Sequence, residues 1–205
     1  MKSRHRVKTY GEVFTPLHMV NRMLDLVRDE LETGPDFVDK TFLEPSAGDG
    51  NFLVAILRRK LHAIENRYAE DMWVRQSLFA VASIYGIELL EDNHEEAKEL
   101  LLAELVAFHS SHALACSPET DAHRAASYLI DTNIVRGNML TGQTPEGQDI
   151  QLSWWHRIHG KPDMVQRQPF TLASLRENSG FDFTEYETYR VCRIDKVHEE
   201  IRAGG

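Results

Sequence analysis

Apolar positions recur along this chain in two rhythms, and each change of rhythm marks an element. Leu17, Val20, Leu24, Val27 and Leu31 fall at helical spacing with Met23 on the same side, and Gly34-Pro35 supplies a stop. Thr41 to Glu44 reads as a short buried strand, and Phe52 to about Tyr68 as a helix with a basic middle. A further helix is expected over Asp71 to Leu78. Val81 to Glu88, rich in β-formers near its end, reads as a second strand. Asp92 or Asn93 is placed to cap the next helix, which runs through Leu100, Leu101, Leu105 and Val106. His109 to Asp121 reads as a loop, Ala122 to Ile130 as a short helix and Asn133 to Arg136 as a third strand.

Beyond Leu140 the rhythm weakens. Thr141 to Asp149 is turn-rich, and Ile150 to Trp155 is a candidate fourth strand. Phe170 to Glu177 and Tyr186 to Ile201 fit helices, although the Tyr and Val content of the second fits a strand as well. Strands alternating with helices predict an α/β fold with a parallel sheet and crossover helices. Ligands of such sheets sit beyond the carboxyl ends of the strands, and Glu44, Glu88 and Asn138 fall at or just past three such ends. Gly48 and Gly50 then form a turn between the first strand and a helix. Glycine lets a backbone approach a small ligand, because it has no Cβ and tolerates positive φ. The helix that follows aims its first N–H groups at the turn.

With 205 residues the chain suits a single domain with a proper core. A net charge of −9 argues against a broad phosphate-binding surface. Two local basic groups run against that balance: the arm Lys2, Arg4, Arg6 and Lys8, and the patch from Arg157 to Lys161 with Arg167. Cys116 and Cys192 are too few for a disulfide framework. No apolar run approaches the ~18–20 residues of a membrane span, and Met1 to Arg6 lacks the apolar core of a signal peptide. A cytoplasmic protein without a membrane partner is therefore expected.

The order of motifs resembles the S-adenosylmethionine-dependent N6-adenine DNA methyltransferases of restriction–modification systems. Tyr10-Gly11-Glu12-Val13-Phe14-Thr15-Pro16 is similar to the family's N-terminal segment, which packs on the methionine end of the cofactor. Leu43-Glu44-Pro45-Ser46-Ala47-Gly48-Asp49-Gly50-Asn51-Phe52 resembles its glycine-rich first motif. Tyr85-Gly86-Ile87-Glu88 resembles the second, and Val135-Arg136-Gly137-Asn138-Met139-Leu140 the third. The match covers roughly residues 8 to 140.

The resemblance implies a Rossmann-like class I methyltransferase fold: a mainly parallel sheet with helices on both faces, whose completion toward the C-terminus it leaves open. It implies S-adenosylmethionine as cofactor, held by Phe14, Thr15, Pro16, Glu44, Pro45, Ser46, Ala47, Gly48, Gly50, Phe52, Glu88, Leu89, Asn138 and Met139. Glu88 would accept from the ribose hydroxyls, and Asn138 from the adenine amino group. The implied division is a cofactor-covering arm at 1–16, a cofactor-binding domain at 17–160 and a C-terminal extension at 161–205.

The family's catalytic motif, Asn or Asp followed by Pro-Pro and an aromatic residue, has no counterpart, because the chain contains no Pro-Pro pair. The corresponding region offers Leu152-Ser153-Trp154-Trp155-His156. Trp154 or Trp155 could stack on an extruded base, or both could be core residues of a buried strand; His156 could serve as a base. Two readings stay open: a DNA adenine methyltransferase, whole or one subunit with a second polypeptide supplying the missing parts, and a non-catalytic module acting through protein contacts. A small-molecule methyltransferase of the same fold is a third. His109, His112 and Cys116 have a zinc-like spacing without a fourth ligand, and His156 and His159 form another pair; no metal is expected.

Overall fold

The computed structural model describes residues 15–176 and 189–203. The helix expected over Leu17 to Leu31 is two, α1 (Leu17–Leu26) and α2 (Arg28–Glu32), parted at Val27, whose φ of −112° and ψ of 12° leave the helical region. Helix α1 presents Val20 and Leu24 to the core. After β1 (Phe42–Glu44) comes α3 (Asn51–Arg67). A 3-10 turn (Glu70–Met72) then leads into α4 (Trp73–Ala82). The strand expected from Val81 begins only at Ile84, as β2 (Ile84–Glu88). An unbroken buried apolar run carries no period to separate helix from strand.

Helix α5 (Glu91–Ser111) runs past His109, so the loop expected there starts at His112. Its N-cap is Leu90, and neither Asp92 nor Asn93 takes that place: Asp92 lies in the acidic first turn, where it complements the helix dipole, and Asn93 is buried. Helix α6 (Asp121–Asn133) is capped by Thr120, whose hydroxyl accepts from the His123 N–H, and it runs directly into β3 (Ile134–Arg136).

Strands β1, β2 and β3 form a parallel sheet in that order, with Leu43 opposite Tyr85 and Ile87 opposite Val135. The fourth strand does not join it. Strand β4 (Gln151–Ile158) pairs antiparallel with β5 (Lys161–Thr171), and β5 pairs with β6 (Cys192–Arg193), in a second three-stranded sheet. The fold is thus mixed α/β, and the expectation of one mainly parallel sheet is corrected to two sheets of opposite kind. Phe170 and Thr171 end β5, so the helix expected from Phe170 is the short α7 (Leu172–Arg176). Ile194 to Glu199, expected within a helix or strand, is a 3-10 helix. The expected boundary between residues 160 and 161 falls between β4 and β5.

The two faces of β2 separate two cores. Ile84 joins the main core, built from α1 and α3 to α6, and Gly86 faces the same side toward Leu53 of α3. Tyr85 and Ile87 point the other way, into a smaller cluster with Ile150, Leu152, Phe170 and Leu172. The face expected to carry crossover helices is therefore covered by the β4–β5 hairpin and α7. Val165, Ile194 and Val197 return to the main core, so the antiparallel half is packed into the same body.

Lys60 of α3 is fully buried where β1 and β2 begin. Its ammonium donates to the carbonyls of Val38 (2.9 Å) and Lys40 (2.5 Å) and to Ser83 Oγ (2.5 Å). Burial pulls its pKa down to about 7. Among the described residues no helix is long and apolar enough to cross a membrane.

Candidate functional site

The glycine turn is held by backbone geometry that other residues resist. Gly48 and Gly50 have φ of +56° and +86°, in the left-handed region that glycine enters without penalty. At Gly50 the space is closed as well. An added Cβ would lie 2.9 Å from Ala97 Cα, so the missing side chain lets α3 start against α5.

The turn is pinned to β2 from two directions. Ala47 N–H donates to the Ile87 carbonyl at 2.9 Å, and Gly48 N–H donates to Glu88 Oε2 at 2.7 Å. The other oxygen, Glu88 Oε1, accepts from Leu90 N–H at 2.9 Å. Glu88 is only 5% exposed, and its carboxylate braces the turn after β1 against the start of α5. A charged acceptor of two backbone N–H groups makes stronger bonds than a neutral one. The Glu88 carbonyl in turn accepts from Gly137 N–H at 2.9 Å, which ties in the end of β3.

Around this brace lie the other expected residues. Glu44, half-buried at the end of β1, accepts from Ser46 N–H at 3.3 Å, and burial raises its carboxyl pKa. Pro45 and Ser46 are exposed, Ala47 is buried and Phe52 packs against the main core. Leu89 stands 43% exposed beside Glu88. Thr15 reaches the turn through its carbonyl, which accepts from Asn51 Nδ2 at 3.4 Å, and Pro16 precedes α1. Phe14 lies outside the described residues. Asn138 folds its side-chain oxygen back onto its own turn, accepting from the N–H groups of Leu140 (2.9 Å) and Thr141 (3.4 Å). Met139 packs on the smaller core, and Leu140 is 88% exposed. The carboxyl ends of all three parallel strands thus converge on one edge.

Trp154, Trp155 and His156 are not brought to that edge. Trp154 stacks on Phe170 (centroids 4.8 Å apart, planes at 18°) and meets the ring of Tyr85 edge-on at 6.1 Å. Trp155 Nε1 donates to Asn133 Oδ1 at 2.9 Å, and Tyr128 packs on its ring. His156 is exposed and bonded to Gln168. These residues border a cleft of about 270 Å³ with Asp39, Thr41 and Ser83, which precede β1 and β2. That cleft opens toward the amino ends of the strands, away from Glu44 and Glu88.

Both arginines of the expected basic patch are spent internally, while Lys161 is exposed. Arg157 lies over the Phe79 ring, 3.5 Å from its centroid, and binds Asp39 and Gln76. Arg167 donates to Ser153 Oγ (2.8 Å), Tyr128 Oη (2.7 Å) and Glu200. The basic N-terminal arm lies outside the described residues. His109 binds Ser77 Oγ at 2.8 Å and His112 binds Glu65 at 2.7 Å, so each imidazole has its own protein partner rather than a shared one.

Sequence reasoning missed Leu90 and Ala97, the partners of Glu88 and Gly50. Neither has a chemical signature. Their roles come from a backbone N–H and from the absence of bulk, and the small size of Ala97 is the only trace available. No protein-family model matches the chain, and no curated protein or solved structure is significantly similar to it.

Proposed function

We propose that the chain binds S-adenosylmethionine at the carboxyl edge of its parallel sheet, and that it is a DNA adenine-N6 methyltransferase or a subunit of one in a modification system. The observation that carries this reading is the double left-handed glycine turn at the end of β1, braced by a buried carboxylate at the end of β2. Gly48 and Gly50 hold the turn in the left-handed region, and Gly50 lets α3 start close against α5. Each Glu88 oxygen accepts one backbone N–H and keeps a second lone pair for a ribose hydroxyl. Exposed Leu89 and Leu140 flank the edge as apolar surfaces for a purine ring. Methyl transfer would then depend chiefly on holding the sulfonium in line with the amino group.

A cofactor-binding module without catalysis of its own is favoured by a specific observation. Trp155 is engaged with Asn133 and Trp154 with Phe170, beside a cleft at the amino ends of the parallel strands rather than at the glycine turn. Under this second reading the chain acts through protein–protein contacts, in a regulatory or anti-restriction role, and transfers no methyl group.

Calorimetric titration with S-adenosylmethionine tests the proposal. Glu88→Gln loses a hydrogen bond to a charged group, worth about 1.5–3 kcal/mol, so it binds roughly tenfold to a hundredfold more weakly. Leu89→Asp, at an exposed position, weakens binding without disturbing the fold, as a thermal melt verifies. Absence of binding by the unaltered chain at millimolar cofactor would sink the proposal. Labelled-methyl transfer to DNA, with and without co-purifying subunits, then separates the two readings.

A further inference from the structure

The C-terminal 3-10 helix packs across the start of α6, and three metal-ligand side chains meet at that crossing. Asp121 opens α6, while His198 and Glu199 close the 3-10 helix. His198 Nε2 lies 3.7 Å from Asp121 Oδ1 and 3.5 Å from Glu199 Oε1. One ligand atom from each of the three lies within 4.8 Å of the others.

The histidine is the anomaly. Its side chain is 14% exposed, yet both ring nitrogens are shut off from solvent and neither has a hydrogen-bond partner. A buried polar atom in that condition calls for an explanation. Carboxylates at 3.5 and 3.7 Å are too far to serve as acceptors. They are well placed as fellow ligands. A tetrahedral ion about 2.1 Å from each ligand atom sets neighbouring ligands about 3.4 Å apart.

The two carboxylates already gather positive charge. Lys196 Nζ lies 2.9 Å from Asp121 Oδ2 and 3.1 Å from Glu199 Oε1. It holds Asp121 by Oδ2, leaving Oδ1 facing the imidazole, and competes with an ion for both carboxylates from a side chain 38% exposed. We infer that Asp121, His198 and Glu199 form a site for one divalent transition-metal ion of the zinc class, with water as the fourth ligand. The ion fastens the C-terminal 3-10 helix to α6. Imidazole with two carboxylates suits zinc, whereas calcium and magnesium prefer all-oxygen shells. The expectation of no metal came from histidines and cysteines close together in sequence, whereas these ligands meet only through the fold. The site is independent of the cofactor reading, being built from α6 and the 3-10 helix rather than from the glycine turn.

The test is calorimetric titration of the full chain, stripped with a chelator, with Zn²⁺ alone. The chain has 10 histidines, so the assignment rests on which equivalent disappears. Changes merely adjacent to metal ligands weaken binding by about 10–100-fold, and loss of a ligand does no less. His198→Ala and Asp121→Asn should each weaken one tight equivalent at least about tenfold, and Lys196→Met should tighten it. Asp121→Asn sits on a half-exposed carboxylate and gives the same reading should His198→Ala disturb packing. Failure of the unaltered chain to bind zinc, or an equivalent that survives in both ligand variants, would overturn the inference.

Discussion

The two three-stranded sheets solve the same packing problem with opposite materials. The parallel sheet is nearly all apolar. Tyr85, Ile87 and Ile134 fill its faces, and its polar groups collect at the carboxyl edge around Glu88. The antiparallel sheet is held by a charge. Arg167 on β5 gathers Ser153, Tyr128 and Glu200 while lying over the rings of Trp155 and Tyr189. Apolar packing in the first sheet leaves its edge lined by backbone groups and the Glu88 carboxylate. The second keeps its arginine and tryptophans for itself, which leaves few groups there to act on a substrate. Charge in a protein interior, on this comparison, marks cohesion in one half and candidate function in the other.

The sharpest way to break the comparison is Arg167→Met. Glu200, 4% exposed at its side chain, would lose its cationic partner. Removing one member of a buried ion pair costs about 3–5 kcal/mol, so a large fall in the denaturation midpoint is expected. If chemical denaturation shows a change of under about 1 kcal/mol, the antiparallel half does not depend on its charge.

The second effect belongs to the helical layer over the parallel sheet. Burial pulls the His109 pKa down to about 4, with the neighbouring His112 contributing. The unfolded chain, with an ordinary pKa near 6.5, therefore binds a proton that the folded chain refuses. This contribution to stability is fully present above about pH 6.5 and is lost as pH falls toward 4, by on the order of 3 kcal/mol. Unfolding curves measured across that window for the unaltered chain and for His109→Gln should converge at low pH. Parallel slopes would dismiss the assignment.

The smallest effect bears on the edge itself. Gly50→Ala must hold a φ of +86° and push a Cβ to within 2.9 Å of Ala97 Cα. A left-handed alanine alone costs about 1–2 kcal/mol, so a loss of roughly 2 kcal/mol is expected, together with loss of cofactor binding in calorimetry. Unchanged binding would separate the glycine turn from the ligand.

How legible each half was follows from the same contrast. The glycine turn could be read because left-handed backbone demands a residue type and leaves it in the sequence. The main helices could be read from spacing, since Leu101 and Leu105 or Leu57, Leu61 and Ile64 must share a face. Glu88 could be placed at a strand end, but not its bonds to Gly48 and Leu90, because backbone donors look alike in every residue. Ile150 to Trp155 announced a strand without announcing its neighbours. Alternation is identical in any sheet, and the pairing of Trp154 with Gln168 depends on a register shift between Arg157 and Ile158 that no residue type announces. The internal pairing of Arg157 and Arg167 was hidden for a related reason, as a guanidinium carries the same letter in a protein network as on a phosphate-binding surface.

Lys60 turns the junction of α3, β1 and β2 into a chemical clock. Burial holds its pKa at about 7 only while the corner is closed, and opening returns the amine to water and to reagents together. In the closed molecule it is sealed in by Val38, Lys40 and Ser83. Its rate of acylation by a small amine-directed reagent therefore counts the openings of this one corner. A cofactor that clamps the far edge of the same sheet would slow that count without ever touching the lysine.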